Sequence, residues 1–201
     1  VQTCALPIFL KNRVAEMSLG DLTDKAIDCT KRIKVTIDEI QGSSCYTSFH
    51  SYERAREATS AKLRKRQTLI EINSDIKSMD GTIFRLFLVV VTSRSTNQVK
   101  LNSYATHSKV RVLRKKLVTL MNEYAAETPS AKIVHEIIND AVAKNWELVA
   151  RKILPDCSLL ITKMKIAKKG VAEVKVADIP AAKPADPKHK ESPDAANPLS
   201  K

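Results

Sequence analysis

The chain has 201 residues, of which 43% are hydrophobic, so it can bury a core and is long enough for about one ordinary domain plus a tail. Lys and Arg number 34 against 22 Asp and Glu, and the net charge of +12 attracts polyanions, first nucleic acid and second an anionic membrane surface. Because no run approaches the roughly 20 apolar residues of a membrane span, we expect no transmembrane segment and no membrane partner.

The first residues differ from the rest of the chain. The chain begins with Val, and residues 5–10 form a short apolar patch. A signal peptide needs a basic start and a small-residue cleavage site, and neither is clear here. We therefore interpret residues 1–8 as a non-native leader.

Strand patterns dominate the next part of the chain. Residues 13–19 are a strand candidate, and residues 32–37 alternate apolar and polar side chains, which indicates a half-buried strand. The polar segment 41–44 predicts a turn, followed by a returning strand over residues 45–50. Residues 53–66 are charged and free of Gly and Pro, so they predict a helix.

A hairpin is predicted between residues 68 and 92. Ile70, Ile72 and Ile76 alternate with polar residues, and Asp80-Gly81 is typical of a tight type I′ turn. The return strand, residues 82–92, is apolar on both faces apart from Arg85, which favours a central and covered position in the sheet. Residues 93–98 then form a polar loop.

Helices and one strand complete the predicted fold. Residues 108–124 form the strongest helix, with one apolar stripe: Val110, Leu113, Leu117, Leu120, Met121 and Tyr124. A second helical region opens at Pro129 and continues to Ile153, where Pro155 ends it. The final strand, residues 157–166, places Lys163 and Lys165 on one face.

The last part of the chain has a different composition. Residues 180–201 hold five of the eight prolines and no aromatic residue. Such a segment buries too little apolar surface to offset its chain entropy. We therefore expect a disordered tail rich in Lys, Ala and Pro over residues 168–201.

The patterns of known catalytic and metal sites are not met. The four glycines are scattered, so they form no phosphate-binding loop, and His135 has no second histidine at helical spacing. The four cysteines lack the clustered spacing of zinc ligands and fit a reducing compartment. Cys45 and His50 lack an orienting third group. We expect no enzyme activity, no cofactor and no metal.

Two clusters of cations contain no acidic residue. The first lies at the end of the predicted helix 53–66 and comprises Lys62, Arg64, Lys65 and Arg66. The second lies on the polar face of the predicted helix 108–124 and comprises Lys109, Arg111, Arg114, Lys115 and Lys116. A solvated helix face is normally mixed in charge, so an unmixed basic face favours a bound polyanion over the alternative of a merely solvated surface.

Two further groups extend the candidate RNA-binding set. The polar loop and the residues after it contribute Arg94, Asn97, Gln98 and Lys100, and the final strand with the residues after it contributes Lys163, Lys165, Lys168 and Lys169. We expect the cations to neutralise and position phosphates. Aromatic residues make up only 4% of the chain, which favours backbone and shape recognition over reading of sequence.

An ordered series of motifs resembles the eukaryotic and archaeal small-subunit ribosomal protein family S-three-a, also called e-S-one. The series runs through residues 66–71, 75–77, 80–81 and 85–87, then 97–100, 103–105 and 110–116, and ends with Leu154-Pro155 and residues 163–166. The likeness is strongest between residues 67 and 116. The chain departs from the family at Arg66, where a tryptophan is usual, at Asn139, where a proline is usual, and in lacking a lysine-rich N-terminal arm.

The resemblance implies a fold and a function. It implies an α+β ribosomal domain over residues 9–167, with a curved antiparallel sheet packed with helices. It also implies that this domain binds small-subunit rRNA and supports subunit assembly and translation. The implied partners are neighbouring small-subunit proteins and initiation factors, and the implied location is the cytoplasmic ribosome after assembly in the nucleolus. The alternative is a non-ribosomal adaptor that binds nucleic acid or an acidic protein.

Overall fold

The computed structural model describes residues 7–42 and 44–170. Its strands form one open, six-stranded antiparallel sheet, and most of the helical residues lie in the segment before the last strand. In chain order the elements are α1 (Pro7–Leu10), β1 (Val14–Ser18), α2 (Leu19–Thr23), a 3-10 helix (Ala26–Thr30), β2 (Lys31–Gln41), β3 (Ser44–Arg54), α3 (Arg56–Ser60), β4 (Leu69–Lys77), β5 (Ile83–Thr92), α4 (His107–Glu127), α5 (Ser130–Ile138), α6 (Ala141–Ile153) and β6 (Cys157–Lys168).

The sheet confirms the predicted α+β class. Its strand order is β1-β2-β3-β6-β5-β4, so the return strand of the predicted hairpin, β5, is flanked by a strand on each side, as its apolar character indicated. Strands β2 and β3 are both longer than predicted. Many of their side chains are partly exposed on both faces of the sheet, so apolar and polar residues do not alternate clearly there. Shifts of register within β2 and β5 are typical of bulges, which bend a sheet.

The hairpin between β4 and β5 has the predicted position but a different turn. The backbone N–H of Gly81 donates to the carbonyl of Ser78 at 3.0 Å, and that of Ser78 donates to the carbonyl of Thr82 at 2.9 Å. Gly81 has a positive φ of 79°, whereas Asp80 does not. The type I′ prediction is therefore wrong: the glycine alone occupies the left-handed region, as in a three-residue loop with a bulge.

Helix α4 confirms the predicted stripe and organises the core. Val110, Leu113, Leu117 and Met121 are buried at helical spacing and pack, with the inward side chains of the sheet, in one hydrophobic cluster. The cluster also holds Trp146 of α6, which is 5% exposed. Burial of such side chains removes apolar surface from water and is the main favourable term in folding.

The region after α4 is two helices, not the continuous one that was predicted. The break between α5 and α6 falls at Asn139 and Asp140, and Asp140 takes a left-handed φ of 57°. Its carboxylate pairs with Arg54, and it lies 3.5 Å from the ammonium of Lys31. A tertiary ion pair therefore fixes the break, which explains why local sequence did not reveal it.

The ion pairs at this break form a largely buried network where β2 begins and β3 ends. Lys31, which is 7% exposed, also lies 3.0 Å from Asp28. Arg54 donates in addition to the carbonyl of Ile161 at 3.3 Å. The network thus links β2, β3, β6 and the junction of α5 with α6. Its members depend on one another, because an unpaired charge in such a position is costly.

The helix predicted over residues 53–66 is wrong over most of its length. Residues 53 and 54 belong to β3, and α3 covers only Arg56–Ser60. The rest of the segment forms turns before β4. The first basic cluster thus lies in a connecting loop, not at a helix end.

The described fold extends slightly past the predicted domain boundary. Strand β6 runs to Lys168, and the N–H of Gly170 donates to the hydroxyl of Thr82 at 3.2 Å. Residues 171–201, which carry most of the predicted tail, lie outside the described residues, as do residues 1–6 of the predicted leader. Among the described helices, none has both the length and the apolar character needed to cross a bilayer.

Candidate nucleic-acid interface

The loops at one end of the sheet are bonded to each other. This end, which we call the loop end, is where β4 begins and β5 ends. The N–H and the hydroxyl of Ser103 both donate to the carbonyl of Arg66, at 3.0 and 3.1 Å. The N–H of Ala105 donates to the hydroxyl of Thr68 at 3.0 Å. These bonds bring the loop of the first basic cluster against the segment that leads into α4.

The loop after β5 is folded by two of its predicted binding residues. The guanidinium of Arg94 donates to the carbonyl of Gln98 at 2.8 and 3.1 Å. The side-chain amide of Gln98 donates to the carbonyls of Lys100 and Asn102 at 2.9 and 2.7 Å. Gln98 therefore shapes the loop, while Arg94, Asn97 and Lys100 are exposed.

Four of the five cations of α4, all except Arg114, lie on the half of the helix that faces away from the core. At 100° per residue, Lys109 and Lys116 lie on one flank, and Arg111 and Lys115 lie on the other. Val112, which is 55% exposed, lies between the two flanks. All five cations, including Arg114, are exposed. The helix thus presents one face to the core and a broad basic face to its surroundings.

The charges of α4 are placed against its dipole. Its first turn contains no acidic residue and carries Lys109, whereas its last turn contains no basic residue and carries Glu127, with Glu123 just before it. The N-cap residue, Thr106, makes no side-chain hydrogen bond to the helix start. Cations near a helix N-terminus are unfavourable by a few tenths of a kcal/mol each, about 0.3–1. Fold stability therefore does not account for this arrangement.

The cations at the loop end have no acidic partner in the described part of the chain. No carboxylate there lies within 4.0 Å of the first cluster, of Arg94 and Lys100, or of the five cations of α4. We call these exposed cations the loop-end basic surface: Lys62, Arg64, Lys65, Arg66, Arg94, Lys100, Lys109, Arg111, Arg114, Lys115 and Lys116.

Sequence reasoning missed one residue of this surface. Tyr104 is 65% exposed and lies between Ser103, which binds the first cluster's loop, and the start of α4. A single exposed ring beside cations offers a face on which an unpaired base stacks. Its signal in the sequence is weak, because aromatic side chains are more often buried than exposed.

The lysines of β6 have a different setting, on the face of the sheet opposite the helices. Lys163 lies 2.8 Å from Glu53, and this hydrogen bond holds the pKa of the Glu53 carboxyl below its usual range. Lys34 also reaches Glu53, at 3.5 Å, and Glu16, at 3.2 Å. This face thus carries a ladder of ion pairs, and Lys163 is partly neutralised by it.

The neighbouring part of the same face is also partly paired. Asp75 and Arg85 form a two-pronged ion pair at 2.6 and 2.7 Å, which lowers the pKa of the Asp75 carboxyl. The ammonium of Lys165 lies 5.8 Å from the ring centroid of Phe87, within cation–π range. Asp75 is therefore paired with Arg85 although both side chains are exposed.

The structure divides the predicted binding set into two. Thr92 pairs with Cys157 at the loop end, and Ile83 pairs with Lys168 at the other end of the same two strands. At roughly 3.3 Å per residue, about 30 Å separates these ends. Lys168 and Lys169 therefore lie far from the loop-end basic surface, and a single partner reaches both only if it follows the sheet along its length.

Metal coordination is not supported among the residues that the structure describes. No group of three or more His, Cys, Asp or Glu side chains there is placed to hold a metal ion. Cys29 and Cys45 are exposed free thiols, and burial raises the pKa of the Cys157 thiol. The chemistry available at the loop end is thus that of cations, hydrogen-bond donors and one exposed ring.

The comparisons with known proteins agree with this chemistry. The Ribosomal S3Ae family matches residues 3–170, a range that begins inside the segment interpreted as a leader. A relative from Theileria parva, the small ribosomal subunit protein eS1, is 36% identical over 160 residues, which cover 80% of this chain and 61% of that protein. The chain therefore spans less than two thirds of the length of this relative, and on the strength of both matches it belongs to the Ribosomal S3Ae family.

Proposed function

We propose that the chain is a structural constituent of the small ribosomal subunit that binds small-subunit rRNA through the loop-end basic surface. The observation that carries the proposal is the exposed basic face of α4, which has no acidic partner among the described residues and opposes the helix dipole. Family membership supplies the class of partner. The role is structural, without a catalytic step.

The geometry favours recognition of the RNA backbone. Lys and Arg side chains spread over a loop and one helix face match phosphates along a strand, and Arg adds a planar fork for phosphate oxygens. Tyr104 supplies one position for stacking of an unpaired base. Phosphate contacts fix position and orientation and carry little sequence information. The chain would thus read the shape of a folded rRNA segment.

The wider role follows from the same proposal. The chain would support small-subunit assembly in the nucleolus and translation on the cytoplasmic ribosome, next to other small-subunit proteins and initiation factors. The lysines of β6 would add contacts along the sheet, with Lys163 the weakest because of Glu53.

Sedimentation tests the ribosomal part of the proposal. An epitope-tagged copy, expressed in a eukaryotic cell and run through a gradient, is expected to track the small subunit and to resist moderate salt. Material that stays near the top of the gradient while binding RNA in vitro would favour the non-ribosomal adaptor instead.

A charge-neutral variant tests the RNA surface. We expect replacement of the five α4 cations by Gln to abolish incorporation while the circular dichroism spectrum is kept. In binding to single-stranded rRNA fragments, loss of five phosphate contacts should flatten the plot of log affinity against log salt by about 3.5, from roughly 0.7 per phosphate. The matched control replaces five exposed lysines elsewhere by Gln: Lys11, Lys25, Lys77, Lys144 and Lys152. Equal losses in both variants would refute the site.

A further inference from the structure

The second half of α4 lines a cleft whose charge is opposite to that of the first half. The cleft encloses about 450 Å³ between α4, α5 and α6. Its apolar lining comes from Leu120, Val142 and the two aromatic residues Tyr124 and Trp146. Three carboxylates line the same space: Glu123, Glu127 and Glu136.

The carboxylates of this cleft are largely available. Glu123 and Glu127 are exposed, and in the part of the chain that the structure covers neither forms an ion pair. One oxygen of Glu136 accepts the hydroxyl of Tyr124 at 2.5 Å, and the other lies 3.7 Å from the ammonium of Lys132, so both oxygens have partners within the chain. In a chain of net charge +12, a local surplus of negative charge is notable because the surroundings are basic.

Trp146 adds an unused donor to the same cleft. It lines the space and is 5% exposed, and its ring meets that of Tyr124 edge to face with centroids 5.9 Å apart. Its indole N–H donates no hydrogen bond to any residue that the structure describes, and it is not one of the buried polar atoms that lack a partner, so it remains open to an acceptor in the cleft. A peptide carbonyl is the simplest acceptor that could enter a cleft of this size.

Taken together, the lining matches a peptide and not a metal ion. The carboxylates are not among groups that could hold a metal in the described residues. The apolar walls fit an apolar side chain, the indole N–H fits a carbonyl, and the rim of carboxylates fits Lys or Arg side chains. The segment 171–201 of this chain has as many lysines as acidic residues, so it does not match the charge of the cleft.

We propose that the cleft between α4, α5 and α6 is a docking site for a basic segment of another protein, one that carries an apolar anchor between Lys or Arg residues. The site is separate from the loop-end basic surface and does not depend on it. Helix α4 would then join two partners of opposite charge, a polyanion at its start and a basic peptide at its end.

The test uses the full chain and a synthetic peptide that alternates Lys with Leu. Trp146 is the single tryptophan, so its emission reports on the cleft directly. We expect saturable binding with a shift of this emission. The variant E123Q/E127Q should bind at least about fivefold more weakly, as expected for two lost charge pairs at the edge of a cleft.

The matched control carries the same change of charge elsewhere. D21N/E71Q alters two exposed carboxylates that form no ion pair among the described residues, and it should bind the peptide like the unmodified chain. Equal binding by both variants, or binding that leaves the Trp146 emission unchanged, would overturn the proposal. Self-association that E123Q/E127Q abolishes would also overturn it, because the occupant would then be a second copy of this chain.

Discussion

The break between α5 and α6 depends on one carboxylate, and its removal gives a sharp prediction. Asp140 faces two cations whose side chains are nearly buried, Lys31 at 9% and Arg54 at 11% exposure, and is itself 25% exposed. Asp140→Gly keeps the left-handed backbone without strain but leaves both cations without this partner. Because such pairs cost several kcal/mol to break, we expect a loss of about 2–4 kcal/mol in the free energy of unfolding. For a domain of this size the midpoint should fall by about 4–16 °C.

The chain offers a close control for this substitution. Asp156 has nearly the same φ, 58° against 57°, is exposed, and forms no ion pair in the described region. Asp156→Gly should therefore change stability by no more than about 1 kcal/mol. Chemical and thermal denaturation of both variants measure the difference. Adding Arg54→Met to the Asp140→Gly variant should recover part of the loss, because one buried charge is then removed. Equal stabilities of the two glycine variants would refute the reasoning.

Three further predictions concern a cap, the core and the binding face. Asp80 accepts the first backbone N–H of α5 at 2.6 Å, and this hydrogen bond lowers the pKa of the Asp80 carboxyl. The stabilisation is therefore present above the unfolded pKa of about 3.9 and is lost as the pH falls through the lower folded value. Asp80→Asn should cost up to about 1 kcal/mol in the free energy of unfolding at neutral pH, and the difference between the two proteins should shrink in thermal melts at acid pH. Leu117→Ala should cost about 2–5 kcal/mol in urea unfolding, because the side chain is fully buried, whereas Val112→Ala on the exposed face should cost under about 0.5. In RNA-binding assays, Lys165→Gln should weaken affinity more than Lys163→Gln, since the latter residue is already paired; the reverse order would contradict the ladder of ion pairs.

Local patterns predicted the parts of the fold that bury one regular face. The stripe of α4 and the alternation of β4 were confirmed because their side chains repeat with the period of the element. The interior position of β5, between β6 and the edge strand β4, followed from its apolar faces. These features need no knowledge of distant residues.

Features set by distant contacts were not predicted. The helix propensity of the segment with the first basic cluster predicts a helix. The structure has a loop there, which is held by a hydrogen bond to Arg66 from Ser103, 37 residues away. The break at Asp140 depends on Arg54, 86 residues away. The sequence identified the cations of the candidate site, but only the structure shows that Lys163 is paired with Glu53.

The opposition between the charges of α4 and its dipole has a consequence for copies of the protein that have not found their partners. A polyanion bound to the first half of the helix, which carries Lys109, would offset this unfavourable arrangement and would add to the stability of the folded state. Surplus chains would therefore open more readily than incorporated ones. This difference in stability would allow cellular quality control to recognise and remove the surplus chains.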